Sequence, residues 1–90
     1  MPLTVEEKDK IIELAKEFHV RRVWLFGSAL DENSEPNDID LAVEGLRKEE
    51  FTELYNQLFD RLPRPVDLID MDGNNPMRHI VRDRGVVIYE

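Results

Sequence analysis

No cysteine occurs among the 90 residues, which excludes a disulfide framework and thiolate chemistry and suits a reducing compartment. No apolar run approaches the roughly 20 residues needed to cross a bilayer. The charged stretch Met1 to Lys10 also lacks a signal-peptide core, so the cytoplasm is the expected location and no membrane is expected as a partner. Positive charge is scarce: 12 Lys and Arg stand against 20 Asp and Glu, a formal net charge of -8. Phosphate backbones are held mainly by clustered basic side chains, so duplex nucleic acid is not an expected partner, whereas an acidic surface suits solubility or a basic protein. Internal repeats, low-complexity tracts and linkers are absent too, which leaves a single domain over residues 1–90. A chain this short buries only about three-fifths of the surface its unfolded form exposes, so one compact core is expected and little is left for a second.

What is present reads as alternating elements. Thr4 and Glu7 have capping-box spacing, and Ile11, Leu14, Ala15 and Phe18 recur at helical intervals, which predicts a helix over about residues 4–18. Arg22 to Phe26 reads as a buried strand, residues 38–43 as another, and the polar stretch Ala29 to Asn37 as a loop between them. Phe51, Leu54, Tyr55, Leu58 and Leu62 mark a second helix from Lys48 to Arg61, stopped by Pro63 and Pro65. Val66 to Asp70 follows as a strand and Asp72-Gly73-Asn74 as a turn. Asn75 as N-cap, Pro76 as first helical residue and Gly85 as terminator outline a third helix, and Val86 to Tyr89 a last strand. This order predicts an α/β (α+β) fold, a small mixed sheet covered by helices.

One constellation carries chemistry. The strand ending in Trp24, Leu25 and Phe26 breaks at Gly27-Ser28, and the next strand opens with Asp38-Ile39-Asp40. Because side chains alternate along a strand, Asp38 and Asp40 project to one side while Ile39, Leu41 and Val43 enter the core. Asp67 lies on the later strand and can join them. Hard carboxylate oxygens select magnesium, which keeps some waters and binds substrate phosphates beside one or two carboxylates per ion. Asp38, Asp40 and Asp67 could thus hold two ions, with Asp67 the candidate general base toward an attacking hydroxyl. Gly27 would let backbone approach a phosphate, and Ser28 would offer a hydroxyl and N–H groups to its oxygens. Asp-x-Asp alone is common in so acidic a chain. Its order with Gly-Ser and a third strand-borne Asp gives it weight.

Leu25-Phe26-Gly27-Ser28, Asp38-Ile39-Asp40-Leu41-Ala42-Val43 and Val66-Asp67-Leu68-Ile69 together resemble the minimal nucleotidyltransferases (MNT), the smallest members of the polymerase-β-like superfamily. The resemblance covers nearly the whole chain, including a final helix and strand over Ile80 to Tyr89. It implies that Gly27 and Ser28 contact the triphosphate of ATP and that Asp38, Asp40 and Asp67 hold Mg2+. It further implies an antitoxin that binds a HEPN-domain ribonuclease toxin and transfers AMP to a tyrosine hydroxyl on it. The chain departs from the family after Gly-Ser, where a basic, small-residue segment is usual and Asp31, Glu32 and Glu35 stand here. Like charge in that loop repels a triphosphate, which motivates a different reading: a catalytically weak or inactive relative that neutralises its partner by stoichiometric binding. A less favoured reading is adenylylation of a small molecule such as an aminoglycoside by a dimer.

The remaining chemistry-capable residues have plainer explanations. Asp70 and Asp72 are expected to serve the turn after their strand, and His19 and His79 to sit at a helix end and on a helix surface. Trp24 and Phe26 are expected in the core, Tyr55 and Tyr89 as packing, and Arg61, Arg64, Arg78, Arg82 and Arg84 as solvated helix arginines.

Overall fold

In the computed structural model, which describes residues 3–27 and 38–90, Thr4 and Glu7 close on each other as their spacing predicts. The Glu7 backbone N–H donates to the Thr4 hydroxyl at 3.0 Å, and the Thr4 N–H donates to the Glu7 carboxylate at 2.9 Å. N–H groups that a helix start leaves orphaned are thereby met, and α1 runs Val5–Glu17. At its other end Val20 N–H donates to Ala15 C=O and His19 N–H to Lys16 C=O, with His19 at φ 56°. This is a Schellman stop built on a histidine where glycine is the usual occupant.

Strand β1 (Arg22–Phe26) pairs antiparallel with β2 (Ile39–Glu44). A 3-10 turn, Lys48–Glu50, leads into α2 (Phe51–Arg61), whose crossover allows β3 (Val66–Asp70) to lie parallel to β2. Helix α3 (Arg78–Arg84) and strand β4 (Val86–Tyr89) complete the chain, β4 pairing antiparallel with the other side of β1. The sheet order is β3-β2-β1-β4, the mixed sheet expected from the order of elements.

Three expectations about the elements and the core are corrected. The second helix begins as a 3-10 turn and is α-helical only from Phe51. The third starts at Arg78 instead of after Asn75, because the Asn75 side chain accepts Met77 N–H at 2.8 Å and its carbonyl accepts Arg78 N–H at 3.1 Å, closing a turn before the helix. The interior is also divided in two. Under α1 and α2, one sheet face buries Leu25, Ile39, Leu41 and Val43 with Leu14, Leu54 and Leu58. The opposite face buries a smaller cluster of Trp24, Phe26, Ala42, Met71 and Val81, the last carried by α3. Alternation along β1 and β2 feeds both clusters, as both faces of the sheet are covered.

Glu7 joins distant parts of the chain. Arg64, between α2 and β3, donates to it from Nε at 2.9 Å and from Nη2 at 2.8 Å, while the Glu7 side chain is only 4% exposed. Burial alone would raise the Glu7 pKa, but the Arg64 hydrogen bonds and charge and the Thr4 hydrogen bonds outweigh it, so the carboxyl lies below its ordinary 4.5. The solvated role expected for Arg64 is thus corrected to a structural one.

Candidate functional site

The register of the sheet decides which aspartates meet. Asp40 lies opposite Asp67 across the parallel β2–β3 ladder and opposite Phe26 across the antiparallel β1–β2 ladder. Asp40 therefore sits on the central strand flanked by Asp67 on one side and by the end of β1, where Gly27 follows, on the other. Gly27 has φ +75°, and a Cβ built there would overlap the Asp40 carboxylate, with the Asp40 Cγ 3.0 Å away. Only glycine leaves room for that carboxylate in this backbone conformation.

Burial pushes the Asp40 carboxyl upward, and the charge of Asp67, a side-chain hydrogen bond with Asp67 and the charge of Asp38 push it further the same way. Asp40 and Asp67 are thus brought together. Asp38 stands one residue ahead of β2, exposed, and reaches Asp40 through its charge. Among the described residues no group of three His, Cys, Asp or Glu side chains forms a ready cage for a metal ion. The donor set nonetheless fits magnesium: it is made of hard oxygens, it is incomplete as a site shared with phosphates and water must be, and its central carboxylate carries repulsion that a cation would relieve. Asp40, Asp67 and Asp38 are the residues that would hold such an ion. Ser28 and the loop carrying Asp31, Glu32 and Glu35 lie outside the described residues.

A cavity of about 600 Å³ opens beside the aspartates, lined by Gly27, Asp40 and Asp67 together with an apolar wall that includes Phe26, Phe51, Tyr55 and Met77. Phe26 is core as expected, and it also lines the cavity. Phe51, Tyr55 and Met77 are the lining residues that the sequence reading missed, because Phe51 and Tyr55 fit the helical stripe of Leu54 and Leu58. The available signal was an aromatic at every fourth position, Phe51, Tyr55 and Phe59, along one flank of that stripe. Tyr55 and Phe59 are tilted neighbours with ring centroids 6.2 Å apart.

Asp70 serves the turn as expected, whereas the Asp72 side chain reaches out of it to the end of β2. Asp72 N–H donates to the Asp70 carboxylate at 2.9 Å, and Gly45 N–H donates to the Asp72 carboxylate at 2.7 Å. No described helix is long and apolar enough to cross a membrane.

Comparison with known proteins gives one consistent picture. The chain is similar over 91% of its length, at 28% identity and a TM-score of 0.76, to 72% of a chain in the crystal structure of a toxin–antitoxin with AMP-PNP. It is similar over 92% of its length, at 26% identity and a TM-score of 0.71, to 69% of a chain in the toxin–antitoxin MntA–HepT. A third likeness, 27% identical with a TM-score of 0.72, covers 92% of this chain and 69% of a chain in the complex of a tri-AMPylated Shewanella oneidensis HEPN toxin with its MNT antitoxin. No functionally curated protein matches the sequence. The model of the polymerase beta nucleotidyltransferase domain matches residues 9–90. With the strand-borne aspartates and the glycine at the end of β1 in place and the model matching residues 9–90, the protein belongs to the polymerase beta nucleotidyltransferase family.

Proposed function

We propose that this protein is an antitoxin that transfers AMP from ATP, with magnesium, to a hydroxyl of a partner HEPN-type toxin, most fittingly a tyrosine. The observation that carries the reading is the facing of Asp40 and Asp67 across β2 and β3, beside Gly27, in the lining of a cavity large enough for a nucleotide. Likeness to complexes holding AMP-PNP and an AMPylated toxin supports it.

Bound magnesium would supply charge neutralisation on the triphosphate and on the departing pyrophosphate. The chain's own groups do the rest. Gly27 gives the Asp40 carboxylate its position, and Ser28 offers its hydroxyl to phosphate oxygens. Asp67, on the outermost strand, accepts the proton of the attacking hydroxyl. The acceptor oxygen bonds to the α-phosphorus, the bond from that phosphorus to the bridging oxygen breaks, and pyrophosphate leaves. The apolar wall of Phe26, Phe51, Tyr55 and Met77 limits water at the reacting centre.

A second reading rests on the three acids Asp31, Glu32 and Glu35 after Ser28, whose charge opposes a triphosphate and leaves a protein that acts by binding alone. One experiment separates the two. The protein is mixed with ATP labelled on its α-phosphate, magnesium and the product of the adjacent gene. Label on the partner that disappears with Asp40→Asn and Asp67→Asn supports transfer. A stable complex without label supports binding alone.

A further inference from the structure

Asp67, Leu68 and Ile69 are consecutive residues of β3, and all of them line the same cavity. Successive strand residues point to opposite faces of a sheet, and the same cavity is lined by Phe51 and Tyr55 of α2 on one face and by Met77 on the other. With lining residues on both faces, the cavity wraps around the outer edge of β3, an end strand of the sheet.

Backbone hydrogen bonds show what that edge offers. Met71 N–H donates to Val43 C=O at 2.8 Å, and Ile39 N–H donates to Pro65 C=O at 2.9 Å. Odd-numbered residues of this stretch therefore aim their backbone groups inward at β2. By alternation, the even-numbered Val66 and Leu68 aim theirs outward, where no described strand pairs with them. The open row ends at Asp70, whose C=O accepts Gly73 N–H at 3.3 Å. On one side of this edge stand Phe51 and Tyr55 of α2 next to Leu68; on the other stand Asp67 and Met77.

We propose that the open edge of β3 is the acceptor-docking site, and that it takes an extended segment of the protein substrate as an added strand. This deepens the reading above and rests on it for the chemistry of transfer. An added strand alternates its side chains across the edge. The acceptor hydroxyl therefore lies over Asp67, and the residues immediately before and after it fall on the Phe51 and Tyr55 side. The substrate class that fits is a hydroxyl-bearing residue flanked by apolar side chains in an extended stretch. A charge at either flanking position would lose its water against an aromatic wall. Continuity of the cavity with Asp40 and Asp67 selects this occupant over a second copy of the chain, since an acceptor has to reach those carboxylates whereas a dimer partner does not.

The test uses blocked pentapeptides with a central tyrosine: one flanked by leucines, one flanked by aspartates, and two leucine-flanked forms N-methylated at odd or at even positions. Each is incubated with the protein, magnesium and α-labelled ATP. The leucine-flanked peptide should be labelled at least about tenfold faster than the aspartate-flanked one. N-methylation should abolish labelling in one parity and spare it in the other, and Tyr55→Ala should flatten the preference for leucine. A second readout needs no transfer: with an ATP analogue whose α–β bridging oxygen is replaced by methylene, the leucine-flanked peptide should slow exchange of the Val66 and Leu68 amide protons by NMR. Slowed exchange without label on any peptide or on the partner protein would uphold the docking edge and sink the transferase reading. Equal labelling of all four peptides, or exchange at Val66 and Leu68 unchanged at saturating peptide, would overturn the docking edge.

Discussion

Replacing Arg64 by methionine should destabilise the protein by about 3 kcal/mol at neutral pH, and the cost should depend on pH. Methionine keeps much of the side-chain volume and removes the guanidinium, which donates to Glu7 at 2.9 and 2.8 Å. Glu7 is 4% exposed and Arg64 23%, so the variant leaves a buried carboxylate whose other hydrogen bond comes from Thr4 N–H. Breaking a fully buried pair costs roughly 3–5 kcal/mol, and the partial exposure of Arg64 places this case at the lower end. In a domain of this size that corresponds to a fall in Tm of about 15 °C. The sign of the pH effect follows from the two states of Glu7. In the parent its pKa lies below 4.5, so its stabilisation is present above that value and lost as pH falls through the folded-state pKa. Without Arg64, burial dominates and raises the same pKa, so ionised Glu7 destabilises the variant at neutral pH and is relieved on acidification. The gap between the proteins should therefore be widest near pH 7 and narrow toward about pH 4. Urea unfolding at several pH values measures it, and adding Glu7→Gln to the variant should recover part of the loss. A gap below about 1 kcal/mol, or one that stays constant with pH, would refute the reasoning.

Gly27→Ala should cost about 1–2 kcal/mol from its left-handed backbone, read by thermal melting. It should also lower transfer more than tenfold by displacing the Asp40 carboxylate. Asp40→Asn should abolish labelling while raising Tm, because it removes a partly buried charge pressed upon by Asp67 and Asp38; an unchanged or lower Tm would contradict that electrostatic account. His19→Gly should stabilise the end of α1 by about 0.5–1 kcal/mol in urea unfolding, since glycine adopts the observed φ of 56° without strain. Chelators should leave the far-UV circular dichroism unchanged, as the aspartates sit at the ends of strands that the two apolar clusters already hold.

The elements most legible in the sequence were those whose chemistry is local. The capping box at Thr4 and Glu7 places the start of α1, and the bounds of β1 and β3 follow from apolar runs between polar or proline breaks. Asn75 misleads because its side-chain bond to Met77 N–H suits a cap and a turn alike, and its carbonyl, which accepts Arg78 N–H, closes a tight turn ahead of the helix. Arg64 and Glu7 are 57 residues apart, so no window on the sequence links them. Alternation placed Asp40 and Asp67, but their direct opposition depends on strand order and register, which are properties of the whole sheet. Phe51 and Tyr55 were hidden by periodicity, since a stripe of apolar residues does not reveal which of its flanks faces a cavity.

The single tryptophan of the chain gives the division of the interior a practical meaning. Trp24 lies in the smaller cluster with Val81 of α3, the Arg22 guanidinium stands 5.5 Å from the centre of its ring, and Gly85 passes close enough that a Cβ there would lie 3.3 Å from Trp24 Cδ1. A thin layer held by few apolar contacts opens at lower free energy than the one under α1 and α2. Fluorescence should therefore report the lifting of α3 before circular dichroism reports global unfolding. The protein carries its own optical gauge of the layer that walls its cavity through Met77.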